Sequence, residues 1–570
     1  MGMLQKTWAL KPGEGTSVFL CLGAEKNSDE AIALLHRYRQ QNSQEPEVCP
    51  KCINHLQQTV ERQNGVLSIQ TPNKALDILF NHWLLYQVRV SRWLTKTGYF
   101  QSGGAIGFRD QLQDMLALIY SDPQLVRSHI LDCAAHQFVE GDVLHWWHQP
   151  AKGVRTAIRD DLLFLPYVTL EYLRITADWS ILQEQVPYLI SQEIPQGQQD
   201  LYASFDVGEM TETLQQHIQR ALHRSWNLGE LGLPKMGRGD WNDGMDQVGA
   251  KGQGQSVWLG FFLVHIAKRW SRLLEYKGEM AQSVKYRNMA EKLKETLNQM
   301  AWDGEWYLRA FFDDGSPLGS EKNQECQIDL ISQAWSVISG VAGKDRRKKA
   351  MDSAISKLLD RDSGVFSLLT PPFDGRGNDP GYIRGYIPGV RENGGQYTHG
   401  AIWGLAALCL LGEKDKAYEV MNLLNPIVRT QRYLLAQKYA GEPYCMAADV
   451  YASAHHRGRA GWTWYTGSGA WMYKVVLEYV LGFWKEGDLL SILPCLPAEA
   501  FPYTIDYRHG KALYHIEVDL WEEPLDPSIE DGGKGGIKQM IWVDGNRVRE
   551  IRLKDDGLSH RVQVVISREG

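Results

Sequence analysis

The sequence predicts a mainly α protein: an α/α barrel with the remnant of a β domain before it and a small β-sandwich after it. Three observations lead there. From Asn73 the chain keeps a helical pattern for roughly 400 residues. Several of its helices are apolar on most faces while others carry a charged stripe, as an inner ring covered by an outer one requires. Long loops rich in Gly, Pro and aromatic residues separate alternate helices, which helical hairpins closed into a toroid would gather at one mouth. No fixed period marks an open solenoid. At 570 residues and 44% hydrophobic content the chain can bury a large core.

The elements follow in order. Residues 1–25, with "KTWALKPGEGTSVFLCLGAE", read as strand, Pro-Gly turn and strand, the tail of a β domain. Residues 26–72 form a helical linker, in which "KNSDEAIALLHRYRQQ" is an amphipathic helix capped by Ser28 or Asp29. The barrel spans 73–492, from "KALDILFNHWLLYQVRVSRWL" through "SVWLGFFLVHIAKRWSRLL" and "GAIWGLAALCLLG" to "AWMYKVVLEYVLG". Over 493–570 the pattern alternates in "FPYTIDYRHGKALYHIEVDL" and "KQMIWVDGNRV", with "HG" and "DG" turns, as in a small β-sandwich.

Composition excludes several classes. The net charge is −7 and the longest basic run is "KDRRKK" at Lys344–Lys349, a solvated helix start, so nucleic acid is not an expected partner. The first residues lack a signal-length apolar core, and "AIWGLAALCLLG" is too short to cross a membrane. A soluble, cytoplasmic protein is expected. Eight scattered cysteines make no disulfide framework, and "CPKC" at Cys49–Cys52 has no second ligand pair at zinc-site spacing, so reduced thiols and no metal are expected. Twenty tryptophans and 25 tyrosines suit the C–H faces of sugars as well as a core.

"GRGDWNDGMDQ", Gly237–Gln247, crowds Asp240, Asp243 and Asp246 around Trp241. Gly and Asp also build solvated turns, but an indole gains by leaving water, so the loop is expected to fold against something and to hold Asp243 in a cleft. "YFQSGGAIGFRDQLQD" sets Arg109 beside Asp110 at a helix start, where the two could grip adjacent sugar hydroxyls or form a structural ion pair. "GYIPGVRENGGQYTHGAIW" brings Arg391, Glu392 and His399 to the start of an apolar helix, and "GWTWYTGSGAWMYK" does so with Thr466 and Gly467. Backbone N–H groups at helix starts bind anions, although Gly, Ser and Thr also simply cap helices.

Together "DWND", "REN", the histidine after "GGQYT" and "WYTG", in this order and spacing, resemble glycoside hydrolase family 94, the cellobiose, cellodextrin and chitobiose phosphorylases. "QSGGAIGFRDQLQD" looks most like the phosphorylase region of cyclic β-1,2-glucan synthases. The resemblance implies an α/α six-hairpin barrel between an N-terminal β-sandwich, here mostly missing, and a C-terminal jelly roll. It implies Asp243 as general acid, Trp241 in the glycone pocket, and Arg109 and Asp110 on the non-reducing sugar. Glu392 would contact the acceptor sugar, and His399, Thr466 and Gly467 would bind phosphate, His399 through a charge-assisted contact. Gly103 stands where members commonly carry another arginine, which leaves the linkage open among β-1,2, β-1,3 and β-1,4.

The implied reaction is inverting phosphorolysis of a β-linked gluco-oligosaccharide to α-glucose 1-phosphate and a shortened chain, or its reverse. Inorganic phosphate is the co-substrate and there is no metal or organic cofactor. A hydrolase needs a second carboxylate as base, for which Glu392 or Asp240 would serve, whereas a phosphorylase replaces it with an anion cradle. The resemblance further implies a homodimer, or a separately encoded N-terminal domain as partner. A third reading is an inactive sugar-binding fragment that needs that domain.

Overall fold

The computed structural model describes residues 5–16, 25, 27–44, 53–58, 65–94, 103–191, 194, 198, 200–521 and 538–567. The chain divides into two compact units, Met1–Gln63 and Asn64–Gly570. In the first, residues 5–16, expected to contain a strand, are irregular with a turn at Pro12 and Gly13. The helix Ser28–Gln44 is capped one residue earlier than expected. Asn27 Oδ1 accepts from Glu30 N at 3.0 Å and Asn27 Nδ2 donates to Glu30 Oε1 at 2.9 Å, an exchange for which Ser28 and Asp29 are already too far inside the helix. "CPKC" lies outside the described residues.

Among the described residues the second unit is built on eleven α-helices of eight or more residues in alternation: α1 (Phe108–Leu118), α2 (Pro123–Ala134), α3 (Asp161–Thr176), α4 (Leu214–Ser225), α5 (Val257–Tyr276), α6 (Met280–Met300), α7 (Leu330–Ile338), α8 (Lys344–Leu358), α9 (Thr398–Leu410), α10 (Lys414–Leu424) and α11 (Ser468–Val475). The odd-numbered helices pack each on the next, and α11 packs back on α1, so the succession closes on itself as an α/α barrel. The even-numbered helices cover them from outside. The helical run over residues 74–94, which contains two π-helical segments, Leu79–Leu84 and Val88–Leu94, packs on α1 and α11.

Sequence explains the layering. In α9 every residue from Thr398 to Leu408 is buried, so it has no polar face to show water. In α8 only Ala350, Met351, Ala354, Ile355 and Leu358 are buried, one stripe at helical spacing beneath a charged face. The links from α5 to α6 and from α9 to α10 are short, whereas 226–256, 301–329, 359–397 and 425–467 are long. These four, like 135–160, lead into the N-termini of inner helices, whereas the long link 177–213 leads into the outer helix α4. No helix among the described residues is long and apolar enough to cross a membrane.

Two further features depart from the sequence reading. Leu144–His148, Lys152–Thr156 and Asp200–Ser204 form a four-stranded sheet with Ile106–Gly107, in a stretch read as loop between helices. Leu67–Gln70, inside the segment 26–72 read as a helical linker, is an edge strand with Leu67 and Ile69 buried, paired antiparallel with Tyr503–His509. The period-two pattern of "LSIQ" is too brief to stand out from the helix that follows. That strand opens a six-stranded mixed sheet, continuing with Tyr503–His509, Ala512–Trp521, Ser559–Ser567, Gln539–Val543 and Asn546–Val548. Phe483–Glu486 and Leu489–Ile492, read as the end of the barrel, form a second sheet with Ile551–Arg552. The "DG" turn at Asp544 (φ +51°) and Gly545 (φ +80°) is the left-handed hairpin turn its sequence predicts.

Candidate active site

The inner helices bring their N-termini to one mouth, and the functional side chains stand in their first turns or in the loops just before. Asp110 lies in the first turn of α1, and Asp160 is the N-cap of α3. Ser256 caps α5 and Asp329 caps α7, while His399 is the second residue of α9 and Gly467 is the N-cap of α11. Helix N-termini favour negative charge, which accounts both for the crowd of aspartates and for an opening that suits anions.

The "DWND" loop is fixed from below by Asp240. Fully buried, it accepts from Arg309 Nη1 at 2.6 Å, Arg309 Nη2 at 2.5 Å, Ser256 Oγ at 2.6 Å and Asn242 N at 3.1 Å. Burial opposes its charge, but Arg309 outweighs this and holds the carboxyl below its usual range. Asp240 therefore has no face for a water molecule, which removes it as the catalytic base of a hydrolase. Asp246 accepts from Tyr382 N at 2.9 Å and ties the next loop down. Trp241 packs edge-on to Tyr397 and His399, with ring centres 5.3 and 5.2 Å away, so the indole is a wall and not a turn ornament.

Above this floor Asp243 is open, its side chain 29% exposed. Arg109 Nη2 donates to its two oxygens at 2.9 and 3.0 Å, and Nη1 donates to both oxygens of Asp160 at 3.0 Å. Arg109 Nε lies 3.6 Å from Asp161 Oδ1. The expected Arg109 fork toward sugar hydroxyls is thus already engaged by carboxylates. Nor does Arg109 pair with its neighbour: Asp110, 44% exposed, lies 3.7 Å from Arg92 Nη2. Burial works against the Asp110 carboxylate, but Arg92 and Arg109 outweigh it and keep it below its usual range. His145 bridges Asp161 Oδ2 (Nδ1, 2.7 Å) and Asp243 Oδ2 (Nε2, 3.7 Å). Burial opposes its charge, yet Asp161 and then Asp243 push its pKa up to about 9, so it is an imidazolium at neutral pH.

On the facing wall stand His399, Thr466 and Gly467. A Cβ at Gly467 would come 3.4 Å from His399 Nδ1 and 3.9 Å from Arg92 Nη2, so the glycine leaves both groups open to an occupant. Thr466 Oγ1 accepts from Ser468 N at 3.1 Å, shaping the entry to α11. Burial, with Arg92 close by, pushes the His399 pKa down to about 3. His399 is therefore neutral, against the charge-assisted role expected of it; the charge on this wall is Arg92. That guanidinium is fixed by Asp114 (Nε to Oδ2, 2.7 Å) and by stacking on Tyr465. Glu392 accepts from Arg391 Nε at 3.2 Å.

One cavity of about 270 Å³ touches Arg109, Asp110, Trp241, Asp243, Glu392, His399, Thr466 and Gly467, every site residue the sequence nominated. The model of the glycosyl hydrolase 94 superfamily, catalytic domain, matches residues 61–482. The chain belongs to this superfamily. A cyclic β-(1,2)-glucan synthase, NdvB, of Rhizobium meliloti is 41% identical over 82% of the chain and 16% of its own length. A solabiose phosphorylase of Paenibacillus borealis is 29% identical over 99% of the chain and 68% of its own length. The chain thus spans a small part of the synthase and about two thirds of the phosphorylase. Among solved structures a GH78-family rhamnosidase of Bacillus sp. GL1 superposes with a TM-score of 0.53 at 12% identity, covering 88% of this chain and 44% of that one, a likeness of fold.

In this glycosyl hydrolase 94 domain the same cavity also touches Arg92, Gln113, Tyr382, Tyr386, Arg391, Tyr397, Trp462 and Tyr465. Sequence reasoning passed over Arg92, buried at 4% exposure within "QVRVSRWL", although an arginine on an apolar helix is itself a signal that something pairs with it. His145 was missed because its strand was. Among the described residues no cluster of His, Cys, Asp or Glu is arranged to hold a metal ion.

Proposed function

We propose that the chain catalyses inverting phosphorolysis of a β-linked gluco-oligosaccharide, releasing α-glucose 1-phosphate and a chain shortened by one sugar, and the reverse synthesis. The observation that carries this is the wall on which Arg92, His399, Thr466 and Gly467 meet across one small cavity from Asp243. Arg92 supplies the charge, His399 a neutral N–H, Thr466 a hydroxyl and the start of α11 its N-terminal field, a set suited to phosphate behind an anomeric carbon. Asp243 gives its proton to the departing oxygen, which requires the sugar to loosen the Arg109 grip as it binds. Asp110, the open member of the Arg-Asp pair, takes glycone hydroxyls against Trp241, and Glu392 meets the acceptor. The family match over residues 61–482 supports a six-hairpin toroid ending before Phe483 and a jelly roll after it, and the reading extends to a homodimer or a companion N-terminal domain and to a cytoplasmic setting.

The test follows free glucose and α-glucose 1-phosphate from a panel of β-linked gluco-oligosaccharides across a phosphate titration. Sugar release should require phosphate, and Asp243→Asn should lose it by about a hundredfold or more. Release of free glucose at the same rate without phosphate would replace this reading by a hydrolase with Glu392 as base.

A further inference from the structure

His145 stands behind Asp243, and an irregularity in its strand puts it there. Leu144–His148 and Lys152–Thr156 pair antiparallel, but Leu144 opposes Arg155 while Trp146 opposes Val154, so His145 is the extra residue of a β-bulge. Leu144 and Trp147 are both buried as a result, where a regular strand sends residues three apart to opposite faces. A bulge re-aims one side chain. Here Asp161 Oδ2 takes His145 Nδ1 at 2.7 Å, which fixes the ring and leaves Nε2 directed at Asp243 Oδ2, 3.7 Å away. The ionisable groups facing this pair come from every neighbouring element: Arg109 and Asp110 of α1, Asp160 and Asp161 at the start of α3, and Tyr382 and Tyr386 of the loop that Asp246 ties down. The cations that reach Asp243 are Arg109 and His145.

When a sugar loosens the grip of Arg109, which Asp160 keeps clamped, His145 is the cation left beside the acid. Asp243 becomes a carboxylate only as its proton passes to the departing oxygen, which also keeps the electron pair of the broken C1–O bond. An attraction made after that transfer and not before it lowers the barrier. We propose that His145 is a positioning residue for the reaction: anchored by Asp161, it holds the Asp243 carboxyl toward the leaving oxygen and stabilises the carboxylate that proton donation creates. It acts through Asp243 and not on the sugar, since it is not among the residues that line the catalytic cavity. The charge this needs is present at neutral pH: burial opposes the imidazolium, but Asp161 and then Asp243 raise its pKa to about 9. The assignment rests on the reading of Asp243 as general acid.

The experiment compares the full chain with its His145→Gln, Asp243→Asn and doubly substituted variants. Two substrates are used, a β-linked gluco-oligosaccharide and a dinitrophenyl β-glucoside, whose phenolate departs without needing a proton. At about pH 6, His145→Gln should lower kcat for the oligosaccharide about tenfold, while KM for sugar and for phosphate, and kcat for the aryl glucoside, stay within about twofold. The double variant should fall no further than Asp243→Asn, because the histidine acts through that carboxyl. The gap between parent and His145→Gln should close as pH rises through 9, where the imidazole of the parent loses its charge. A loss shared equally by both substrates, a gap that does not change with pH, or a double variant below Asp243→Asn describes a merely structural histidine and overturns the proposal. So does an unchanged kcat. Should the aryl glucoside not be accepted, the pH series and the double variant decide, and should His145→Gln fail to fold, His145→Asn takes its place in the same tests. Full sugar release by Asp243→Asn would refute the acid reading and this proposal with it, whereas full release by His145→Gln alone refutes only the proposal.

Discussion

Asp240 and Arg309 can be separated as partners by removing each in turn. Arg309 holds Asp240 through two short hydrogen bonds and reaches a second buried carboxylate, Asp329, with Nε 3.5 Å from Oδ2. All three side chains are at most 1% exposed. Arg309→Met leaves two carboxylates in the core with no cation, whereas Asp240→Asn leaves a guanidinium that still has Asp329. Breaking a buried pair costs about 3–5 kcal/mol when a charge is left bare, so Arg309→Met should stand at or above the top of that range and Asp240→Asn below it. Unfolding the unit Asn64–Gly570 carries an entropy of about 1 kcal/mol per degree at ~2.1 cal/mol/K per residue. The expected falls in Tm are therefore about 5 °C or more for Arg309→Met and about 2–3 °C for Asp240→Asn. Differential scanning fluorimetry, read beside phosphate-dependent sugar release, decides. Equal falls, or the reverse order, would refute the assignment of Arg309 as shared counter-ion. Loss of activity in Asp240→Asn at unchanged Tm would return Asp240 to the chemistry.

Three further outcomes follow. Asp110→Ala should lower kcat/KM by about a hundredfold or more with Tm almost unchanged, because Arg92 keeps Asp114 as partner; a collapsed Tm would mean a structural ion pair. His399→Ala should raise the phosphate KM by about tenfold, the worth of a neutral hydrogen bond, and equally at pH 6 and pH 8, since a group with its pKa near 3 does not titrate between them. A pH-dependent effect would show that the imidazole is charged. His145 is charged in the folded protein up to about pH 9 against an ordinary value of 6.5. Its contribution, at most about 3.4 kcal/mol, is complete below about pH 6.5 and lost as pH rises through 9. The Tm gap between parent and His145→Gln should accordingly be widest near pH 6 and close by pH 9.5, and a gap that widens with pH refutes the pairing with Asp161 and Asp243.

The features most legible in the sequence were those with a local physical signature. An all-apolar helix such as "GAIWGLAALCL" announces a place in an inner layer, and "DG" between alternating segments fixes a hairpin turn. Side chains named in Gly-rich loops before helices met in one cavity because inner helices share one direction. What the chain did not announce were partnerships between distant segments. Arg109 and Asp110 read as a joint grip on a sugar or as an ion pair with each other, but the carboxylates that engage Arg109, Asp160 and Asp243, are 51 and 134 residues away. The strand Leu67–Gln70 finds its neighbour at the other end of the unit, and no local pattern predicts that pairing. The charge of His399 was misjudged for the same reason: burial and Arg92 set it, and neither is visible within "GGQYTHG".

Arg92 reaches the cavity from a π-helical segment, Val88–Leu94, close behind a second one, Leu79–Leu84. Such a turn holds one residue more than an α turn, and each residue swings the following side chains by about 100° about the axis. The stretch is therefore a phase setting as much as a sequence. Deleting one codon between Val88 and Arg92 would let the backbone relax to the commoner pitch and would aim the guanidinium away from Asp110 and Asp114, or else turn Trp83 away from Tyr444 upstream. Here chain length is the fragile variable: conservative exchanges along this run leave the bearing of Arg92 intact, while a single-residue gap, neutral in most surface loops, would disarm the cavity without altering any residue that lines it.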